Sequence, residues 1–369
     1  VYVKTGDIPA EWLRDSSVQV RPYLFFAAQD PAVRAFLKAV ITRQARMLAA
    51  DPYANAFRAD YSVWEEKFEL DSLAYPIELA WTYWKVTGDA SVFTADVARG
   101  FDAAFKTMKD EQDHGASPRR YSHRELKNNP VARTGMIWTG FRPSDDACKY
   151  NYLIPSEMMA VVALGELAEI EGGPYGDANK AAEVSRLRAE VDAGIKSYGI
   201  VDDSKHGRIY AYETDGLGHD VFMDDGNIPS LLSAPMIGYG SASDPVYKST
   251  RSFLLSPDDP FFYAGKKDAA VRGIGSPHTP KGYVWPLALL AQGMTAGSAS
   301  ERDAALGLLL ASDPGDGRLH ESFDPDDPKK FTRKDFGWPN SLFAEFVMTA
   351  KGGAPPLPVG STSDLGAAR

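Results

Sequence analysis

The 369-residue chain contains one cysteine, Cys148, so no disulfide can form within it. No histidine stands near it in sequence, and it reads as a small packing residue rather than a nucleophile. No run of about 18 apolar residues occurs, which excludes a helical membrane span. Basic residues are in the minority: 40 Lys and Arg against 50 Asp and Glu leave a net charge of −10. That balance argues against nucleic acid or an anionic membrane as partner and suits a soluble enzyme with a neutral substrate. A motif repeat of fixed period is also missing, which removes a solenoid. Val1 falls inside a dense motif without an initiator methionine, so upstream sequence is expected. Whether the chain is cytoplasmic or exported, and its oligomeric state, are left open.

Amphipathic stripes dominate what is present. Val33, Phe36, Leu37, Val40, Ile41 and Leu48 recur at helical spacing. Phe93, Val97, Phe101, Phe105 and Met108 do the same, as do Val184, Leu187, Val191 and Ile195. Asp30-Pro31 and Asp244-Pro245 each set a capping acid before a proline at the first helical position, and Gly88-Asp89 marks a tight helical hairpin. The pattern predicts eleven helical segments: 10–28, 31–50, 70–87, 90–112, 153–171, 178–198, 228–239, 244–255, 284–297, 300–312 and 338–351. Paired helices without a repeat point to an all-α closed barrel of helical hairpins. Six hairpins need twelve helices, and one upstream of Val1 would complete the count. The joins 52–69, 113–152, 199–227, 256–283 and 313–337 are long, polar and aromatic, where function is expected. Alternation over Arg208–Glu213 suggests a short strand there. Residues 1–351 are expected to form a single catalytic domain, with a loosely ordered Pro/Gly/Ser tail at 352–369.

Chemistry-bearing residues cluster at six places. Trp12, Arg14 and Asp15 combine an aromatic face with groups that bond hydroxyls, as a sugar site needs. Trp64 and Glu66 could line a pocket rim, while Asp71 reads better as a helix cap. The run Gly140-Phe141-Arg142-Pro143-Ser144-Asp145-Asp146 offers a proton donor, and Trp138 and Phe141 an apolar wall. Asp224-Asp225-Gly226-Asn227 lacks the alternating oxygen ligands of a calcium loop and reads as capping plus a hydroxyl contact. In Gly275-Ser276-Pro277-His278-Thr279-Pro280 the glycines are no dinucleotide fingerprint, but the stiff loop suits substrate positioning by His278, with Trp285 following. His320-Glu321-Ser322-Phe323 is not a zinc motif, since no second histidine follows at helical spacing. Phe336, Trp338 and Asn340 could close the site from the last helix. No metal and no cofactor is expected. An Asp145/Asp146 acid and Glu321, far apart in sequence, suit acid/base cleavage of a glycosidic bond.

In this order the clusters resemble glycoside hydrolase family 125, the exo-α-1,6-mannosidases. The resemblance runs from Thr5-Gly6-Asp7-Ile8-Pro9 to Asn340-Ser341-Leu342-Phe343 and is strongest at Trp12–Ser16, Gly140–Ala147, Gly275–Pro280 and His320–Phe323. It implies an (α/α)6 barrel and metal-independent hydrolysis with inversion, an Asp acting as acid and a Glu as base. Carried over, the acid falls on Asp145 or Asp146 and the base on Glu321. Looser analogy to other helical-barrel glycosidases favours Asp145. Inversion implies carboxyls roughly 6.5–9.5 Å apart. Arg14, Asp15, Arg142 and His278 are expected to bond sugar hydroxyls, and Trp12, Trp64 and Trp285 to meet the ring. The expected partner is a mannose-containing oligosaccharide or N-glycan fragment. Family members carry a small apolar residue or Met before the tryptophan, where this chain has Glu11, so the entrance is expected to differ in shape. Two other readings stand beside this one: a different exo-glycosidase on the same barrel, such as an α-glucosidase or trehalase-like enzyme, and a non-catalytic glycan-binding protein.

Overall fold

The computed structural model describes residues 1–350 except 128 and 269; the predicted tail at 352–369 lies outside them. Ten of the eleven predicted segments are helical. They form α1 (Leu13–Val20), continued through a 3-10 turn into α2 (Leu24–Ala27), then α3 (Pro31–Ala50), α4 (Leu70–Thr87), α5 (Ala95–Glu111) and α6 (Ile154–Gly172). After these come α7 (Ala178–Tyr198), α8 (Pro245–Leu254), α9 (Pro286–Met294), α10 (Ala299–Ala311) and α11 (Gly337–Ala350).

The helices form two concentric layers. The inner helices are apolar nearly all round: Leu73, Ala74, Ile77 and Ala80 of α4 are buried, as are Met158, Ala160, Val161 and Leu164 of α6. Helix α1 packs on α4 and α11, α4 on α6, and α11 on α9. The outer helices are one-sided. In α5 Val97, Phe101, Ala104, Phe105 and Met108 face in, and α3 packs on α5, α7 on α6 and α10 on α9.

Two helix expectations are corrected. Segment 228–239 stands among the inner elements as consecutive turns, not a helix. Proline at 235 has no N–H for the ladder, and the Ser230 and Ser233 hydroxyls and the Asp224 carboxylate take the N–H groups of Ser233, Ser230, Leu231 and Leu232. Hydrogen bonds from Tyr75 to Ile228 and from Tyr247 to Leu232 still pin it to α4 and α8. The predicted helix at 90–112 starts only at Ala95 under a Thr94 cap, because Asp89 caps a separate 3-10 turn. The Asp30 and Asp244 caps and the left-handed Gly88 stop form as expected.

The joins carry small antiparallel sheets at one end of the helices. Glu11–Trp12 pairs with Ala56–Phe57, which pairs with Val63–Glu65, and Ser322–Asp324 pairs with Asp327–Thr332. The predicted strand near 208 is Gly207–Tyr210, in a hairpin with Ile200–Asp203. Gly6 brings the first cluster against the last. Its φ of +48° suits glycine, and a Cβ there would sit 1.9 Å from the Asp335 carbonyl.

Candidate active site

Five distant segments converge on a small pocket. It is lined by Trp12, Arg14 and Asp15 from the start of α1, Ser144 and Asp145 from the 113–152 join, and Asn227, His278 and Trp285. Glu321, Arg333, Phe336 and Trp338 close it from the C-terminal side. Aromatic rings among many charged and hydrogen-bonding groups suit a sugar ring and its hydroxyls.

Arg14 organises the base. Its Nη1 donates to Glu69 at 2.7 Å and to Asp71 at 2.9 Å, and its Nη2 lies 3.5 Å from Asp145 Oδ1. The Trp338 ring stacks against it at 5.7 Å. Asp15 is buried beside it, and burial lifts its carboxyl to about 6 against the pull of Arg14. Asp71 therefore does not cap α4 as expected. It lies in the first turn, wholly buried on Arg14.

Asp145 sits at the tip of a tight turn closed by Asp145 N–H to Arg142 C=O, at 2.9 Å, and Arg142 N–H to Asp146 C=O, at 2.8 Å. Its φ is +65°, unusual for a residue with a side chain. Lys67 Nζ holds its carbonyl at 2.8 Å, the Asn55 amide donates to its Oδ1 at 3.1 Å, and Ser144 is tied to Asp225 at 3.0 Å. Burial opposes its charge, but Arg14, a hydrogen bond from Glu69, Lys67 and His278 outweigh burial and hold its carboxyl below the usual range. Asp146 points elsewhere, accepting from His278 Nδ1 at 3.0 Å. That bond, against burial, lifts His278 to about 9, so a cation stands at the pocket beside Asp145.

Glu321 reaches the same pocket from the hairpin 322–332. Burial pushes its carboxyl up; a hydrogen bond with Thr332, Arg333 Nη1 at 3.8 Å and charged His278 pull it back. Arg333 is anchored behind by Asp7 at 2.6 Å. Asn340 does not line the pocket. Its amide bonds Leu319 N–H at 3.0 Å and C=O at 2.7 Å, fixing the segment before Glu321. Trp285 donates to Thr279 at 2.8 Å, and its ring lies where a Cβ on Gly226 would stand, 2.5 Å from the Trp285 Cβ.

Of the residues expected from sequence, Trp12, Arg14, Asp15, Asp145, His278, Trp285 and Glu321 come together here. Two expected sugar contacts lie outside the lining. Arg142 is buried, its Nε spent on Glu213 at 2.6 Å and its guanidinium over Tyr212. Trp64 is 39% exposed with Arg58 over its ring. The departing Glu11 is also turned away, fully buried against Arg43. Sequence reading passed over Glu69, Asn55 and Arg333. A left-handed φ of 48° marks Arg333 in the structure, but nothing in its neighbourhood of sequence does.

The model of the metal-independent α-mannosidases, GH125, matches residues 1–348. The chain belongs to glycoside hydrolase family 125. It is 36% identical to the Meiotically up-regulated gene 157 protein of Schizosaccharomyces pombe, across 94% of this chain and 76% of that one. It is 42% identical to a Streptococcus pneumoniae metal-independent α-mannosidase solved as a non-productive complex with α-1,6-mannobiose. That likeness covers 94% and 87% of the two chains at a TM-score of 0.89. A bacterial glucoamylase, 14% identical with a TM-score of 0.67 over 95% of this chain and 50% of its own, shares the fold alone. The double layer of helices is thus the (α/α)6 barrel of these glycosidases, and this GH125 member is a glycoside hydrolase. Among the described residues no helix is long and apolar enough to cross a membrane.

Proposed function

We propose that this GH125 chain is an exo-acting α-1,6-mannosidase that hydrolyses terminal mannosides with inversion, Asp145 serving as acid and Glu321 as base. One observation carries the assignment: carboxyls 176 positions apart in sequence line a single pocket. The solved relative's α-1,6-mannobiose complex supports the linkage. The terminal mannose enters with its ring against Trp12, Trp285 and Trp338, and Arg14, Asp15 and His278 meet its hydroxyls. Asp145 gives its proton to the glycosidic oxygen as the C1–O bond breaks. Glu321 takes a proton from the water that attacks C1 on the opposite face. Burial makes the Glu321 carboxylate more basic, while Arg333 and His278 favour its charged form, as a base needs. Asp146 is assigned to hold His278 charged, not to donate.

Replacing Asp145 and Asp146 separately by Asn tests the acid. Asp145→Asn is expected to lose α-1,6-mannobiose hydrolysis by about 10²–10⁴-fold while cleaving an aryl mannoside whose leaving group needs no proton. The same selective loss in Asp146→Asn, with Asp145→Asn fully active, would move the role to Asp146.

A further inference from the structure

Glu69 is the N-cap residue of α4, yet its side chain caps no backbone N–H. It turns under the pocket, with no exposed surface, to join Asp145. Two donors bridge the pair. Arg14 places Nη1 on Glu69 at 2.7 Å and Nη2 by Asp145 at 3.5 Å. The Asn55 amide reaches Glu69 at 3.3 Å and Asp145 at 3.1 Å. The shared donors hold the two carboxyls side by side, and each acts on the ionisation of the other. Two buried acids held by the same donors resist ionising together, so a pair that has given up its proton readily regains one.

We propose that Glu69 and Asp145 share one proton and that Glu69 is the buried store from which Asp145 is charged for donation. The proposal rests on Asp145 as the general acid. It resolves a difficulty in that assignment, since the cations around Asp145 favour its ionised form whereas an acid must bring a proton. Burial drives the Glu69 carboxyl well above its ordinary range, so the proton rests there in the free enzyme. The Glu69 proton passes to Asp145, and Asp145 hands it on to the glycosidic oxygen as the C1–O bond breaks, leaving both carboxyls ionised. Glu69 is left as a carboxylate on Arg14, and the proton that Glu321 takes from water returns to solvent. One further proton from solvent restores the pair. Net, one water is consumed and one glycosidic bond broken. Glu69 acts through Asp145 and is a positioning residue. The groups facing the pair are Arg14 and Asp15 of α1, Glu65 and Lys67 of the 52–69 join, Asp71 of α4 and His278. The nearby Tyr121 hydroxyl and Cys148 thiol are both raised by burial and stay neutral.

The test is the pH profile of kcat/KM for Glu69→Gln on α-1,6-mannobiose and on an activated aryl mannoside. In the parent the basic limb marks loss of the shared proton. With Gln at 69, Asp145 titrates alone among cations, so that limb is expected to fall by at least about one pH unit. Mannobiose turnover should drop by about 10²-fold, and the activated substrate much less. Glu69→Asp keeps the charge inside the fold but withdraws the carboxyl by one methylene. It should shift the limb in the same direction even if the glutamine variant fails to fold. An unmoved basic limb, or equal loss on both substrates, overturns the proposal. Asp145→Asn run alongside separates the two layers. If it keeps mannobiose activity, the acid assignment fails; if it shows the selective loss while the Glu69 variants keep the parent limb, only the shared proton is rejected.

Discussion

Helix α1 with the 3-10 turn after it, α4 and α11 hold buried arginine–carboxylate groups in two layers, seven positions and about 10 Å apart along the inner barrel. In the upper layer Arg14 meets Asp71 and the Trp338 ring. In the lower, Arg21 pairs with Glu78 and with Glu345, whose Oε1 lies at 3.0 Å. The upper layer is crowded with further acids, Asp15, Glu69 and Asp145, delivered partly by a join, and it opens on the pocket. The lower layer's further acid, Glu166 of α6, has both oxygens buried without a hydrogen-bond partner, and burial pushes its carboxyl well up. The same buried Arg–carboxylate pairing thus serves two ends. Where loops add acids and leave space it becomes acid/base machinery; where neighbouring helices close over it, it only staples them.

The comparison can be broken from either side. The largest effect is expected from Glu321→Gln, which removes the base from the upper layer: mannose release should fall by about 10²–10⁴-fold with the melting temperature unchanged. Arg14→Met should cost about 10²–10³-fold in kcat/KM and also destabilise the fold. That destabilisation should ease as pH falls, because the four acids left behind can then take up protons; calorimetry across pH checks the sign. Arg21→Met should cost roughly 3–5 kcal/mol of stability, read by denaturant unfolding, with kcat/KM per folded molecule nearly unchanged. A large activity loss there would erase the distinction between layers.

Smaller effects sharpen the picture at the rim. His278 titrates at about 9 in the fold against an ordinary 6.5, so its pairing with Asp146 stabilises fully below pH 6.5 and is lost as pH rises through about 9. The melting-temperature gap between the parent and His278→Gln should therefore be widest near pH 6 and close above pH 9. Trp64→Ala should change kcat/KM by no more than about twofold, since its ring lies outside the pocket and surface substitutions are usually mild.

Apolar periodicity disclosed most helices because α3, α5 and α7 bury one stripe each, a pattern local sequence carries in full. It misjudged 228–239, where the Ser230 and Ser233 hydroxyls inside the segment and the Asp224 carboxylate just upstream compete for the backbone N–H groups. Among site residues, those in short motifs with aromatics and prolines were legible. Arg142 was misread because its consumer, Glu213, lies 71 positions away. Glu69 looked like an ordinary residue before a helix, and Arg333 like one more cation on a charged hairpin. Their roles depend on which loops meet across the barrel mouth, and nothing local records that.

The central claim is that Asp145 and Glu321 work on opposite faces of one sugar with a water between the base and C1. The most direct measurement follows, by proton NMR from the first turnovers, the anomer released from α-1,6-mannobiose. β-Mannose appearing first, before mutarotation, is the predicted result. α-Mannose appearing first would mean retention, and would contradict the pairing of these two carboxyls as acid and base.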